Sequence, residues 1–196
     1  MRSSPIAKSL FCLCFAIVAL CPARAGVLPP VMNPPPAEKL SAFTRIELSS
    51  IQMGAPYAGK GSNDKALAVM QKEFTDKMSA PIAAWKTAGE KNANARTLVI
   101  EPKVEEIRYV SGAARFWAGG LPGDSFLLVS LKLTEKETGK VIATAMFYAK
   151  ADRRGAGWTV GGTDRAMLGR TATNMAAYLT GNYDTLVGGR SGTDPR

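Results

Sequence analysis

Between Leu67 and Trp85 the apolar side chains Leu67, Met70, Phe74, Met78, Ile82 and Trp85 fall three or four residues apart, the spacing that lines one face of an α-helix. Ser62 or Asn63 can cap its start by accepting a free N–H of the first turn, and Gly89 with the polar run Glu90 to Asn94 ends it. Pro81 removes one backbone hydrogen bond and crowds the preceding turn, so a kink or restart is expected there. A second helix follows from Leu168, Ala172, Met175 and Leu179 on one side, with Thr163 as its cap and Gly181 at its stop.

Elsewhere the pattern is that of strands. Phe43 to Ile51 is short, rich in β-formers and bounded by turn residues. Thr97 to Tyr109 opens on Leu98-Val99-Ile100, a run suited to a buried strand, and Pro102 within it marks a bulge or an edge. Phe126 to Thr134 and Val141 to Lys150 form a hairpin, with Leu127, Val129, Leu131 and Leu133 on one face and Val141, Ala143, Ala145 and Phe147 on one face of the partner. The resulting order, β-α-β-β-β-α, predicts an α+β fold: a mostly antiparallel sheet of about four strands with two helices on one face, so that each apolar stripe is buried by the others.

Residues 1–25 read as a secretory signal peptide. Arg2 and Lys8 form a basic start, Leu10 to Cys21 an apolar run too short to span a bilayer, and Ala23-Arg24-Ala25 offers small residues where signal peptidase reads. The cut is expected before Gly26. A lipid on Cys21 would want a small residue before it, and Leu20 is large, so a periplasmic or secreted protein is expected rather than an outer-membrane lipoprotein. Residues 26–42 hold Pro29, Pro30, Pro34, Pro35 and Pro36 and are expected to form a polyproline II spacer, extending ~3.1 Å per residue. Residues 43–181 then make a single domain, and 182–196 a flexible tail.

Charge changes this picture little. The chain has 25 Lys and Arg against 16 Asp and Glu, a formal charge of +9, and loss of Arg2, Lys8 and Arg24 with the leader leaves +6. The two signs are interspersed, as on solvated faces, and the basic-plus-aromatic surface that nucleic acid requires is not visible, so no nucleic-acid partner is expected. An envelope protein, a glycan or an anionic lipid surface would suit the net charge. The oligomeric state is left open.

All three cysteines lie in the leader and the chain has no histidine. The mature protein therefore has no disulfide framework, no thiolate or imidazole ligand, no Cys or His nucleophile or base, and no Ser-His-Asp triad. No metal and no cofactor are expected.

Four patterns remain to be weighed. Gly54 to Lys60 has the spacing of a phosphate-cradling loop, but Gly61 stands where Ser or Thr should hold magnesium and Pro56 has no N–H to offer, so a plain connecting loop is expected. Ser62 and Lys65 have the S-x-x-K spacing of penicillin-recognising enzymes, whose S-D-N and K-T-G elements are missing here. Glu101 and Glu105 share a strand face and could act as acid and base, or be solvated charges beside Lys103. These two pairs define an alternative reading as a periplasmic hydrolase. Arg115, Trp117, Arg153, Arg154 and Trp158 lie in two glycine-rich loops and combine guanidinium groups with aromatics, as partner surfaces do; the competing role is to cap the core.

Over residues 97 to 181 the order of features is Arg115-Phe116-Trp117-Ala118-Gly119-Gly120, the strand from Phe126, Thr138-Gly139-Lys140, a second strand and a helix ending Ala177-Tyr178-Leu179. With its R-F-x-x-G loop and T-G-K hairpin, this stretch resembles an uncharacterised proteobacterial envelope family of unknown function, many of whose members are lipoproteins. The resemblance implies an envelope location and an α+β fold, and brings no catalytic residues. The expectation is a non-enzymatic binding or envelope-assembly module.

Overall fold

A computed structural model describes residues 28–90, 96–109, 125–151 and 162–193. Its elements are β1 (Met32–Asn33), a single 3-10 turn (Leu40–Ala42), β2 (Arg45–Leu48), β3 (Gln52–Met53), α1 (Gly61–Gly89), β4 (Thr97–Arg108), β5 (Phe126–Glu135), β6 (Val141–Lys150), α2 (Gly162–Gly181) and β7 (Gly189–Arg190). The fold is α+β. Five strands form one sheet in the order β2-β4-β5-β6, with β3 also paired to β4, and β1 with β7 forms a separate ribbon.

The sheet is antiparallel through β4, β5 and β6, whereas β2 and β3 run parallel to β4. A parallel pair needs a long crossover, and α1 supplies it. Pro102 explains why that edge strand is broken in two. The Ile100 carbonyl accepts the Ser49 N–H on the β2 side, so two residues on the nitrogen of Pro102 faces the same edge and has no hydrogen to donate. Pairing with β2 ends at Ile100 and pairing with β3 resumes at Lys103. Of the two readings of Pro102, a bulge or an edge, the structure shows a break in the pairing on its β2 side, and the bulge of β4 lies between Val104 and Glu106.

Both helices cover one face of the sheet and pack on each other. From α1 come Ala66, Met70, Phe74, Met78 and Trp85, and from α2 Met167, Leu168, Ala172, Met175 and Leu179; they meet Leu98, Ile100, Val104, Leu127, Val129, Leu131, Leu133, Ala145 and Phe147 of the sheet. One expected face needs correction. A second bulge, between Leu133 and Thr134, shifts the start of β6 so that Ile142 is buried and Val141 is exposed. The helix starts also differ from expectation. Lys60 occupies the cap position of α1 without a side-chain bond, and Asn63 and Ser62 lie inside the first turn. Pro81 lies within a helix that continues to Gly89, its lost bond outweighed by the burial on either side of it.

The largest departure is at the two segments expected to be a spacer and a tail. Ala37 donates to the Ile142 carbonyl, the Tyr178 hydroxyl donates to the Pro34 carbonyl at 3.0 Å, and Leu40 is fully buried. Burial pushes the Tyr178 phenol up to about 12, so it remains a donor across the physiological range. At the other end Asn182 and Ser191 are fully buried, and Tyr148 donates to the Ser191 carbonyl. Residues 28–42 and 182–193 are thus part of the folded body, laid along the outer edge of β6. A sheet edge left bare is a template for pairing, and this one is covered.

Candidate functional site

Register decides where the two aromatic loops leave the domain. Arg108, the last residue of β4, stands opposite Phe126, the first of β5, and Phe126 stands opposite Lys150, the last of β6. One row across three strands therefore carries the departure of segment 110–124, its return, and the departure of segment 152–161. The roots are tied: Ala151 donates to the Ser125 carbonyl at 2.9 Å, Ser125 is fully buried, and Arg170 of α2 donates to the Lys150 carbonyl at 2.9 Å. Asp164, fully buried in the first turn of α2, closes this end where the helix dipole favours a carboxylate. Arg115, Trp117, Arg153, Arg154 and Trp158 themselves lie outside the described residues.

The two candidate catalytic pairs are held in other arrangements. Ser62 and Lys65 sit in the first turn of α1, with Lys65 exposed, and no hydrogen bond joins them. Glu101 and Glu105 both face away from the helices, but Lys103 lies between them on that face. Glu105 accepts from the Lys103 ammonium at 2.9 Å and from the Ser130 hydroxyl at 2.7 Å, and Glu101 lies 4.0 Å from the Lys132 ammonium. Each carboxylate thus has its own lysine neighbour, and Lys103 stands between the two, so they do not meet as a pair. The glycine loop before α1 is likewise occupied by its own chain. Asp64 Oδ1 accepts the Gly59 N–H at 3.1 Å, and Asn63 Nδ2 donates to the Tyr57 carbonyl. A carboxylate thus sits where a phosphate would have to lie. Among the described residues, no three Asp, Glu, His or Cys side chains are grouped as a metal ion would need.

Sequence reasoning missed a polar centre at the opposite end of the sheet. Arg96, just ahead of β4, makes a two-point contact with Glu38, at 2.8 and 3.1 Å, donates through Nε to Glu135, and lays its guanidinium 4.4 Å from the centre of the Phe43 ring. The Arg96 hydrogen bond holds both carboxyls below the ordinary range. The T-G-K turn serves this cluster: Thr138 donates to Glu135, Gly139 takes the positive φ of 70° that the turn requires, and Lys140 reaches Glu38 at 3.3 Å. These partners are 58 and 39 residues from Arg96 in sequence, and no local spacing signals them.

No family model matches the chain, and no curated protein matches it. Solved structures that it resembles include protein XCC0632 from Xanthomonas campestris, described by the family model DUF330 (15% identity, 80% of this chain and 96% of that one, TM-score 0.40). Others are the PelC dodecamer from Paraburkholderia phytofirmans (19%, 77% and 95%, 0.39) and a minor lipoprotein from Acinetobacter baumannii (12%, 75% and 98%, 0.33). Likeness at this level is a loosely shared chain course and assigns neither activity nor partner to this protein.

Proposed function

We propose that this protein is an exported, non-catalytic binding or assembly module of the cell envelope, acting in the periplasm or beyond it, and that Arg115, Trp117, Arg153, Arg154 and Trp158 form its partner surface. The observation that supports this reading is the shared row Arg108, Phe126 and Lys150, which sends both loops out from one end of the sheet. The two segments that leave from this row carry aromatics and guanidinium groups, the composition of interface hot spots. The candidate partners are an envelope protein, a glycan or an anionic lipid surface. A hydrolase is disfavoured because Lys103 separates Glu101 from Glu105, each with its own lysine neighbour, and Ser62 and Lys65 share no hydrogen bond.

The test uses Trp117→Ala and Trp158→Ala in the full chain. Melting temperature should stay within a few degrees while complementation of a deletion strain is lost. Parallel loss of both would assign these side chains to the core and end the proposal; such changes cost roughly 3–5 kcal/mol when the ring is buried.

A further inference from the structure

Six large apolar side chains are exposed among the described residues, and five of them flank or form the β1–β7 ribbon: Leu28 at 54%, Val31 at 38%, Met32 at 50%, Leu186 at 46% and Val187 at 63%. The ribbon joins them. Ser191 donates to the Val31 carbonyl, Met32 stands opposite Arg190, and Thr193 Oγ1 donates to the Pro29 carbonyl. Gly188, at φ 70°, brings the chain against Asn33 and Pro34 so closely that a Cβ would meet backbone.

We infer that this ribbon is a membrane-docking edge, which seats Leu28, Val31, Met32, Leu186 and Val187 in the headgroup layer of a bilayer bearing anionic lipids. Neighbouring residues of an extended strand point to opposite sides, and Val31 and Met32 are both exposed, so apolar surface lies on both sides of the ribbon, which forms a thin wedge along the outer edge of β6. A flat protein surface covers one side of such a wedge. A fluid bilayer surrounds it, and binding there grows with apolar area inserted and with attraction to lipid phosphates. Arg190, exposed and paired across the ribbon with Met32, is placed to meet a phosphate, and Lys39 is exposed a few residues beyond β1; the acidic Asp184 lies two residues before Leu186. A second copy could use the ribbon as a strand template only through backbone donors. The strands are two residues long and are set among Pro29, Pro30, Pro34 and Pro35, which have none.

The experiment is flotation with vesicles of phosphatidylethanolamine and phosphatidylglycerol, and with neutral phosphatidylcholine vesicles, using exported protein whose intact mass shows no acyl chain. Wild type should float with the anionic vesicles. Combined Val31→Ser, Met32→Ser and Val187→Ser should weaken this at least tenfold, with melting temperature within a few degrees, because the side chains removed are exposed. Arg190→Glu should weaken binding to anionic vesicles and flatten its salt dependence. Met32→Trp gives a readout that survives poor folding of the triple variant: its fluorescence should shift to the blue on adding anionic vesicles. Failure of wild type to float, equal binding by the triple variant, or no blue shift would each overturn the inference. So would a self-association in sedimentation that the triple variant abolishes, which would make the occupant a second copy.

Discussion

The side chain of Asn33 is bonded at both ends to one residue of β6: its Nδ2 donates to the Met146 carbonyl at 2.9 Å, and its Oδ1 accepts the Met146 N–H at 2.8 Å. An amide group has the same donor and acceptor as a peptide unit, so Asn33 serves as one residue of a neighbouring strand on an edge that Ala37 and Ser191 pair on either side of it. This pair locks the proline-rich segment to the sheet.

Asn33→Ala should therefore leave a donor and an acceptor of β6 without partners and cost about 1–3 kcal/mol. Asn33→Asp is the sharper variant, because its buried carboxylate can accept from Met146 but sets an oxygen against the Met146 carbonyl, so at pH 7 it should cost at least as much as Ala. Urea unfolding midpoints decide this, and equal midpoints for all three would show that the segment is not held by this bond.

Acid should loosen the same segment at its other end. The Arg96 hydrogen bond, with a smaller contribution from Lys140, holds the Glu38 carboxyl below its ordinary value near 4.5. A folded-state pKa below the unfolded one means that the stabilisation is present above about pH 4.5 and is lost as pH falls through the folded value. Stability measured by urea midpoint should thus decline below pH 4.5. Glu38→Gln should be less stable than wild type at pH 7, with a shallower acid decline and a gap that narrows as pH falls below 4.5; a constant gap would refute the linkage.

Leu131 of β5 and Phe74 of α1 are both fully buried in the shared core. Leu131→Ala should cost about 2–5 kcal/mol and Phe74→Ala about 3–5 kcal/mol, read as lowered unfolding midpoints with cooperativity kept or lost together. Midpoints within error of wild type would mean that these faces do not carry the fold.

Intact mass of the protein extracted from an envelope fraction should correspond to a chain starting at Gly26. An N-terminus at Cys21 with added acyl mass would replace the secreted form by a lipid-anchored one, and would supply a membrane attachment independent of the ribbon.

The sequence by itself determined the two helices and the longer strands, because their signals are local, and not the two-residue strands β1, β3 and β7. The stripe Met70, Phe74, Met78 and the alternation Leu127, Val129, Leu131, Leu133 each need one side buried, and any fold made from them must stack helices on a sheet. It also determined that imidazole chemistry is missing, since a chain without histidine cannot regain it by folding. Only the tertiary structure decided the rest. Five prolines read as a spacer because proline cannot continue a helix or a ladder, yet Asn33, Pro34 and Leu40 find partners at Met146, Tyr178 and the core that lie more than a hundred residues away in the chain. The parallel pairing of β2, the bulge at Glu105 and the clamp of Arg96 on Glu38 and Glu135 are likewise set by contacts between distant segments. No periodicity records such contacts, because periodicity reports which side of an element is buried and not what buries it.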